Sequence, residues 1–296
     1  MENNIFFSVI VPTYNRAGFL GKTIQSVLSQ RFRKLELLII DDGSSDRTEE
    51  VVRSFHDDRI QYFKKENGER AAARNFGIQK AIGSYITFLD SDDLFHVDHL
   101  EVAMSCVLEN QPSIFHLGYN VVDNSGKILQ RWKKLDNPIN ARLIEGNFLS
   151  CLGVFIKREI LAQHRFVEDR DLAGSEDYEL WLRLAARYPI YTISQVTASL
   201  VNHDARSVIS FEPARLITRI EKLVNFIQRD EVFMNIYGAK LKQFHSYLDI
   251  YVALHLALLP SSKRLAFKTW LHSFVKFPKI ISNRRFWIVL KKIGLS

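Results

Sequence analysis

Residues 85–93, Tyr85-Ile86-Thr87-Phe88-Leu89-Asp90-Ser91-Asp92-Asp93, pass from five strand-forming residues directly into three carboxylates within four positions. β-branched and aromatic residues that stop at a polar cluster predict a buried strand over 85–89. Upstream the same unit recurs. The spacing predicts strands over 5–11, 36–40 and 60–63. Helices are predicted at Leu20, Ile24, Val27 and Leu28, over 45–55 and over 69–81. Strands that alternate with helices predict an α/β fold with a mostly parallel central sheet and helices on both faces.

In such open sheets ligands bind beyond the carboxyl ends of the strands. The residues there are Pro12-Thr13-Tyr14-Asn15, Asp41-Asp42-Gly43-Ser44 and Asp90-Ser91-Asp92-Asp93, and polar groups gather at all three. Downstream of residue 94 the pattern changes. A helix is expected over 100–108, a strand over 114–121, a turn at Asp123-Asn124-Ser125-Gly126 with a return strand over 127–132, a strand over 152–156 and a helix over 175–187. From Pro213 onward only helices are expected, divided near Pro260 and Pro278.

Charge is unevenly spread. Residues 1–214 carry 25 Lys and Arg against 29 Asp and Glu, whereas residues 215–296 carry 15 against 4. A tail of net charge +11 suits an anionic partner, or forms a solvated helical face. Cys106 and Cys151 lack metal-like spacing and sit among apolar residues, as small hydrophobes of a reducing compartment do. No apolar run approaches the roughly 18 residues of a membrane span, and the N-terminus lacks a signal-peptide pattern. These features predict a cytoplasmic chain; any membrane contact would be peripheral, on the inner face.

At the end of the strand over 85–89, residues two apart share a side, so Asp90 and Asp92 face one pocket while Asp93 turns away. Paired carboxylates repel unless a cation lies between them. An Asp-x-Asp pair suits Mg²⁺ or Mn²⁺, which completes its shell with substrate phosphates; the same residues also serve as a helix-capping loop. Asp42 could accept from a base or ribose, or belong to an ordinary turn. Arg74, one turn inside its helix, could reach a phosphate or remain a surface charge. In Gly174-Ser175-Glu176-Asp177-Tyr178, Ser175 is the expected N-cap and the helix dipole accounts for Glu176. Asp177 precedes the apolar stripe Leu180, Trp181, Leu184 and projects from its inward side. A carboxylate at an enclosed helix mouth is a candidate general base.

Together, SVIVPTYNR (8–16), LLIIDDGSSDRT (37–48), ARNFGIQKAIGSYITFLDSDD (73–93) and SEDYELWLRL (175–184) resemble the family 2 glycosyltransferases of GT-A fold, over roughly residues 5–210. The resemblance implies a Rossmann-like GT-A domain over 1–212, with a nucleotide-sugar-binding half (1–94) and an acceptor-binding half (95–212), and a basic helical appendage over 213–296. It implies an inverting transferase that moves a sugar from a nucleotide-sugar donor, usually a UDP-sugar, to a hydroxyl of a glycan or lipid-linked acceptor. It implies that Pro12, Thr13, Tyr14, Asp42, Arg74, Asp90 and Ser91 surround the nucleotide-sugar. Asp92 would bind Mn²⁺ or Mg²⁺, with His203 beside the metal or diphosphate, and Asp177 would be the catalytic base. The motif cores show no departure that implies an inactive relative.

A nucleotide-sugar-binding module without turnover is the alternative; it would need Asp42 and Asp92 but not Asp177. In the tail, Phe267, Trp270, Leu271, Phe274 and Phe277 share one side of a helical wheel, and Arg264, Lys268, His272, Lys276 and Lys279 share another. That pattern predicts either an interfacial helix on an anionic membrane or a helix packed on the catalytic domain. The aromatics form a stripe and do not alternate with basic residues, so no nucleic-acid partner is expected.

Overall fold

The computed structural model describes residues 6–203 and 212–294. The first half is built of β1 (Phe7–Thr13), α1 (Ala17–Leu28), β2 (Leu35–Asp41), α2 (Thr48–Arg53), β3 (Ile60–Lys64), α3 (Glu69–Lys80) and β4 (Tyr85–Phe88). These four strands pair in parallel in the order β3-β2-β1-β4, as their alternation with helices predicts. The three polar stations therefore lie together at the carboxyl ends of the parallel strands.

The second half is mixed. It comprises β5 (Leu94–Phe95), α4 (His99–Asn110), β6 (Ile114–Asp123), β7 (Ile128–Gln130), β8 (Val154–Lys157), α5 (Arg158–Gln163), α6 (Glu176–Ala185) and β9 (Ile190–Asn202). β8 joins β4 and β6 antiparallel, β6 runs parallel to β9, and β5 closes antiparallel on β9. The 13-residue β9 escapes the sequence pattern for a physical reason. Its pairing with β6 shifts register between Leu117 and Gly118, so its apolar residues do not hold a period of two.

The period of two is strict in β1 and β2. Phe7, Val9, Val11, Leu35, Leu37 and Ile39 face α1 and α4, while Ile10, Leu38 and Ile40 face α3 and α6. The second layer is close because α3 carries Gly77, where a Cβ would stand 2.5 Å from Ile10 Cγ2. Gly77→Ala is expected to cost about 1–3 kcal/mol through overpacking, seen as a lower urea midpoint at unchanged slope.

The C-terminal region contains α7 (Pro213–Gln228), α8 (Glu231–Tyr237), α9 (Leu241–Leu256), α10 (Lys263–Lys276) and α11 (Arg284–Ile293), with single 3-10 turns at Pro260–Ser262 and Pro278–Ser282. Leu223, Ile227, Phe233, Phe244 and Leu248 share one apolar core with Leu180 and Trp181 of α6. Thus α7 to α9 pack on the sheet domain. In turn α10 and α11 pack on α9 through Ala266, Val289, Ile280 and Phe286. No helix among the described residues is long and apolar enough to cross a membrane.

Candidate active site

At the carboxyl ends of β1, β2 and β4 lies a cleft of about 340 Å³, bordered by Pro12, Thr13, Tyr14, Asp42 and the run Asp90-Ser91-Asp92. Two loops are zipped together to form its rim. Asn15, at a left-handed φ of 51°, accepts through Oδ1 from the Ser45 backbone N–H at 2.9 Å, and Ser44 Oγ accepts from the Asn15 N–H at 2.9 Å. Asp42 is pinned by Lys65 Nζ (2.7 Å) and the Gly68 N–H (3.0 Å), both of which donate to Oδ1. Sequence reading missed Lys65, Arg16 and Arg70, whose cationic character as lone residues carries no signal. Arg16 and Arg70 also border the cleft.

The acidic run divides its labour. Asp93 turns away and accepts from the Val201 N–H at 2.9 Å, which clamps β9 against it. Asp90 accepts from Arg74 Nη2 at 2.8 Å. Asp92 remains toward the cleft, and its Oδ2 stands 3.0 Å from His203 Nε2. β5 and β9 create that meeting across 111 residues, because Leu94 pairs with Ser199 and His203 follows the end of β9. The His203 ring stacks on Phe19 at 4.4 Å, its side chain is 2% exposed, and its Nδ1 has no partner among the described residues. Residues 204–207 of the sequence motif around His203 lie outside the described residues.

The Asp92–His203 pair fits a divalent ion. Adjacent ligands of an octahedral ion with bonds of about 2.1 Å stand about 3 Å apart; the carboxylate suits Mn²⁺ or Mg²⁺, and the imidazole nitrogen favours Mn²⁺, the softer of the two. Among the described residues no cluster of three His, Cys, Asp or Glu forms a complete protein cage, so such an ion would draw its remaining ligands from phosphate oxygens and water.

Arg74 lies beneath the cleft instead of in its wall. Its side chain is 2% exposed, with Nη1 donating to Glu176 Oε1 and Nη2 to Asp90 Oδ1, each at 2.8 Å, and its guanidinium 5.5 Å from the Phe166 ring. Glu176 is more than a dipole-compensating residue. It is the buried counter-charge: burial opposes its ionisation, but Arg70 and Arg74 hold its carboxyl below the usual range. The next residue behaves oppositely. Asp177 retains partial surface exposure, yet enclosure at the mouth of α6, reinforced by the adjacent Glu176 charge, pushes its pKa up to about 6. Asn147 Nδ2 donates to Asp177 Oδ2 at 3.2 Å and orients it. Adjacent carboxylates pushed in opposite directions make Asp177 a candidate acid–base residue. Cys151 lies among these charges, but burial pushes its thiol pKa well up, so it packs as an inert hydrophobe.

A cleft of this kind at the strand ends, with an Asp-x-Asp wall that Arg74 ties to the acidic mouth of α6 while Asp177 itself lies outside the cleft lining, accords with the family comparison: the sequence profile of Glycosyl transferase family 2 matches residues 8–161. The chain belongs to this family. An uncharacterized glycosyltransferase of Rickettsia conorii is 30% identical over 98% of this chain. The chain spans 47% of that relative's length, and 31% and 27% of two other Rickettsia glycosyltransferases that it matches. A UDP-Glc:alpha-D-GlcNAc-diphosphoundecaprenol beta-1,3-glucosyltransferase of Escherichia coli is 35% identical, over 60% of this chain and 68% of that one. Among solved structures, S. aureus TarS in complex with UDP-GlcNAc superposes with a TM-score of 0.66 at 19% identity, over 95% of this chain and 92% of that one. This likeness shows that the family 2 chain has the GT-A fold, and the superposed length takes in the C-terminal helices.

Proposed function

We propose that the protein is an inverting glycosyltransferase that takes a sugar from a nucleotide-sugar, a UDP-sugar first among the candidates, and places it on a hydroxyl of a glycan or lipid-linked acceptor in cell-surface polysaccharide or glycolipid synthesis. The observation that carries this reading is Asp92 in the wall of the cleft, backed by His203; it stands two residues along the chain from Asp90, which Arg74 joins to Glu176 beside the raised carboxyl of Asp177. Residues 1–212 form the transferase domain, with donor binding in 1–94 and acceptor binding in 95–212, and 213–296 form the helical appendage.

Pro12, Thr13, Tyr14 and Asp42 line the nucleoside end, and Asp90 and Ser91 the sugar end. Arg74 orients Asp90 from below. Asp92 and His203 would hold Mn²⁺ or Mg²⁺, which supplies positive charge against the departing diphosphate. Asp177 accepts the proton of the acceptor hydroxyl as its oxygen forms the new bond to the anomeric carbon and the bond to the diphosphate breaks. One displacement inverts the centre without a covalent enzyme intermediate. Calorimetric titration of UDP in Mn²⁺ tests the donor half. Asp92→Ala is expected to weaken binding at least about tenfold, to the level of wild type in EDTA; equal affinity in all three contradicts the metal assignment.

The reading extends to the inner face of a membrane. On α10, Phe267, Leu271, Phe274 and Val275 are exposed, Val275 by 70%, on a face flanked by Arg264 and Lys268. His272 and Lys276 turn to Asp249 of α9. Apolar side chains beside surplus positive charge suit an anionic lipid surface. Because Ala266 and Val289 belong to the core, point substitution is a cleaner test than truncation. Leu271→Glu with Val275→Glu is expected to reduce co-sedimentation with phosphatidylglycerol vesicles at least about fivefold; undiminished binding refutes the docking face.

A further inference from the structure

Two cavities outside the cleft join Asp177's surroundings to the C-terminal helices. The smaller, about 120 Å³, touches Asn147 and the mouth of α6 at Gly174 and Ser175, and is closed on the other side by Tyr247, Tyr251 and Arg285. The larger, about 570 Å³, is bordered by Arg142, Phe148, Tyr247, Arg284 and Arg285. Glu145, Tyr247 and Arg285 border both, so the two adjoin along one groove that these side chains partition. The Arg285 guanidinium stands 3.7 Å from where a Gly146 Cβ would be, and the next residue, Asn147, donates to Asp177. Gly146 has φ 149°, in the region that favours glycine.

We infer that this groove binds the diphosphate head of a lipid-linked acceptor, with Arg142, Arg284 and Arg285 as the phosphate-binding side chains. Three arginines against one carboxylate, Glu145, leave the groove with surplus positive charge. Among the described residues none of the three makes an ion pair within 4 Å. Arginine is the side chain best shaped for paired phosphate oxygens, because its fork of donors is planar and fixed. Arg142 is held by stacking over Phe148 at 5.1 Å. Arg284 and Arg285 begin α11, where Asn283 caps the helix by accepting from the Arg285 N–H at 2.8 Å, so the unpaired N–H groups of the first turn add to the same field.

The two ends of the groove suit the two ends of such a ligand. Toward α6 it reaches the residue that orients Asp177, which places the terminal sugar of the acceptor at the base. Outward, the Phe286 ring touches both Phe274 of α10 (6.2 Å) and Trp287 (5.4 Å), and Trp287 donates through Nε1 to the Ile281 carbonyl at 2.7 Å. Trp287 and Ile281, next in sequence to the groove-lining Ile288 and Ser282, and Phe274 are exposed and apolar, a surface for the first units of a lipid chain. The identity of the ligand as an acceptor rests on the transferase reading; binding of a diphosphate here does not.

The test measures binding without turnover. Farnesyl diphosphate, inorganic pyrophosphate and farnesol are titrated in EDTA into wild type, Arg284→Ala/Arg285→Ala and Asp92→Ala, with thermal melts as a folding check. Saturable binding of farnesyl diphosphate that weakens at least about tenfold in the arginine variant and is unchanged in Asp92→Ala is expected. Pyrophosphate is expected to bind more weakly and farnesol most weakly. Equal affinity for farnesyl diphosphate in wild type and the arginine variant, or loss in Asp92→Ala alone, overturns the site. Equal binding of pyrophosphate and farnesyl diphosphate overturns the lipid part. Failure of the transferase reading would show separately, as absent donor turnover with this binding intact.

Discussion

Asp177→Asn is expected to lower turnover by about 10²–10⁴-fold while changing the Kd for the nucleotide-sugar by no more than about twofold. Asparagine keeps the shape and can still accept from Asn147, but it cannot take a proton. The comparison separates a transferase from a binding module, in which the substitution would be silent. The pH dependence follows from the same group. With its pKa raised to about 6, Asp177 must lose its proton to act as a base, so kcat rises with pH through about 6 and levels above about 7.

Stability moves the other way. The folded pKa of Asp177 lies above its ordinary 3.8, so the stability linked to its protonated form is present below 3.8 and lost as pH rises through about 6. Asp177→Asn is therefore expected to melt above wild type at pH 8, by a margin that narrows as pH falls toward 5. A wild type that melts higher at pH 8 would contradict the assigned shift.

The second large effect is structural. Arg74→Ala leaves the buried Glu176 charge to the longer 3.8 Å contact with Arg70 and removes the Arg74 bond to Asp90, and is expected to cost about 3–5 kcal/mol in urea unfolding. On a typical stability of about 5–15 kcal/mol that is a large fraction. The pair Arg74→Met with Glu176→Leu removes both charges and is expected to recover much of the loss, because buried ion pairs balance desolvation against attraction. A loss under about 1 kcal/mol for Arg74→Ala alone would place the network outside the folding energetics.

The parallel half of the sheet was legible because β1, β2 and β4 are apolar runs closed by polar stations, and that signal is local. The same locality places Asp42, Asp90 and Asp92 at the strand ends. β9 was illegible because a register shift breaks its alternation, and with it went the mechanism that brings His203 to Asp92. Arg74 and Glu176 show the limit more sharply. Each is an ordinary charged helix residue in sequence, and only the packing of α3 against α6, across 102 residues, makes them a buried pair. The tail's two-faced helix was visible, but sequence could not show that His272 and Lys276 pair with Asp249 of α9, nor that Arg142 of the transferase half joins Arg284 and Arg285 in one groove.

The central claim is most directly tested by incubating the protein with a panel of UDP- and GDP-sugars in Mn²⁺ and measuring nucleoside diphosphate release, beside Asp92→Ala, Asp177→Asn and an EDTA control. The account predicts release from one donor class that requires the metal and fails in both variants. Release that survives EDTA and Asp92→Ala, or proceeds at the wild-type rate in Asp177→Asn, would contradict it.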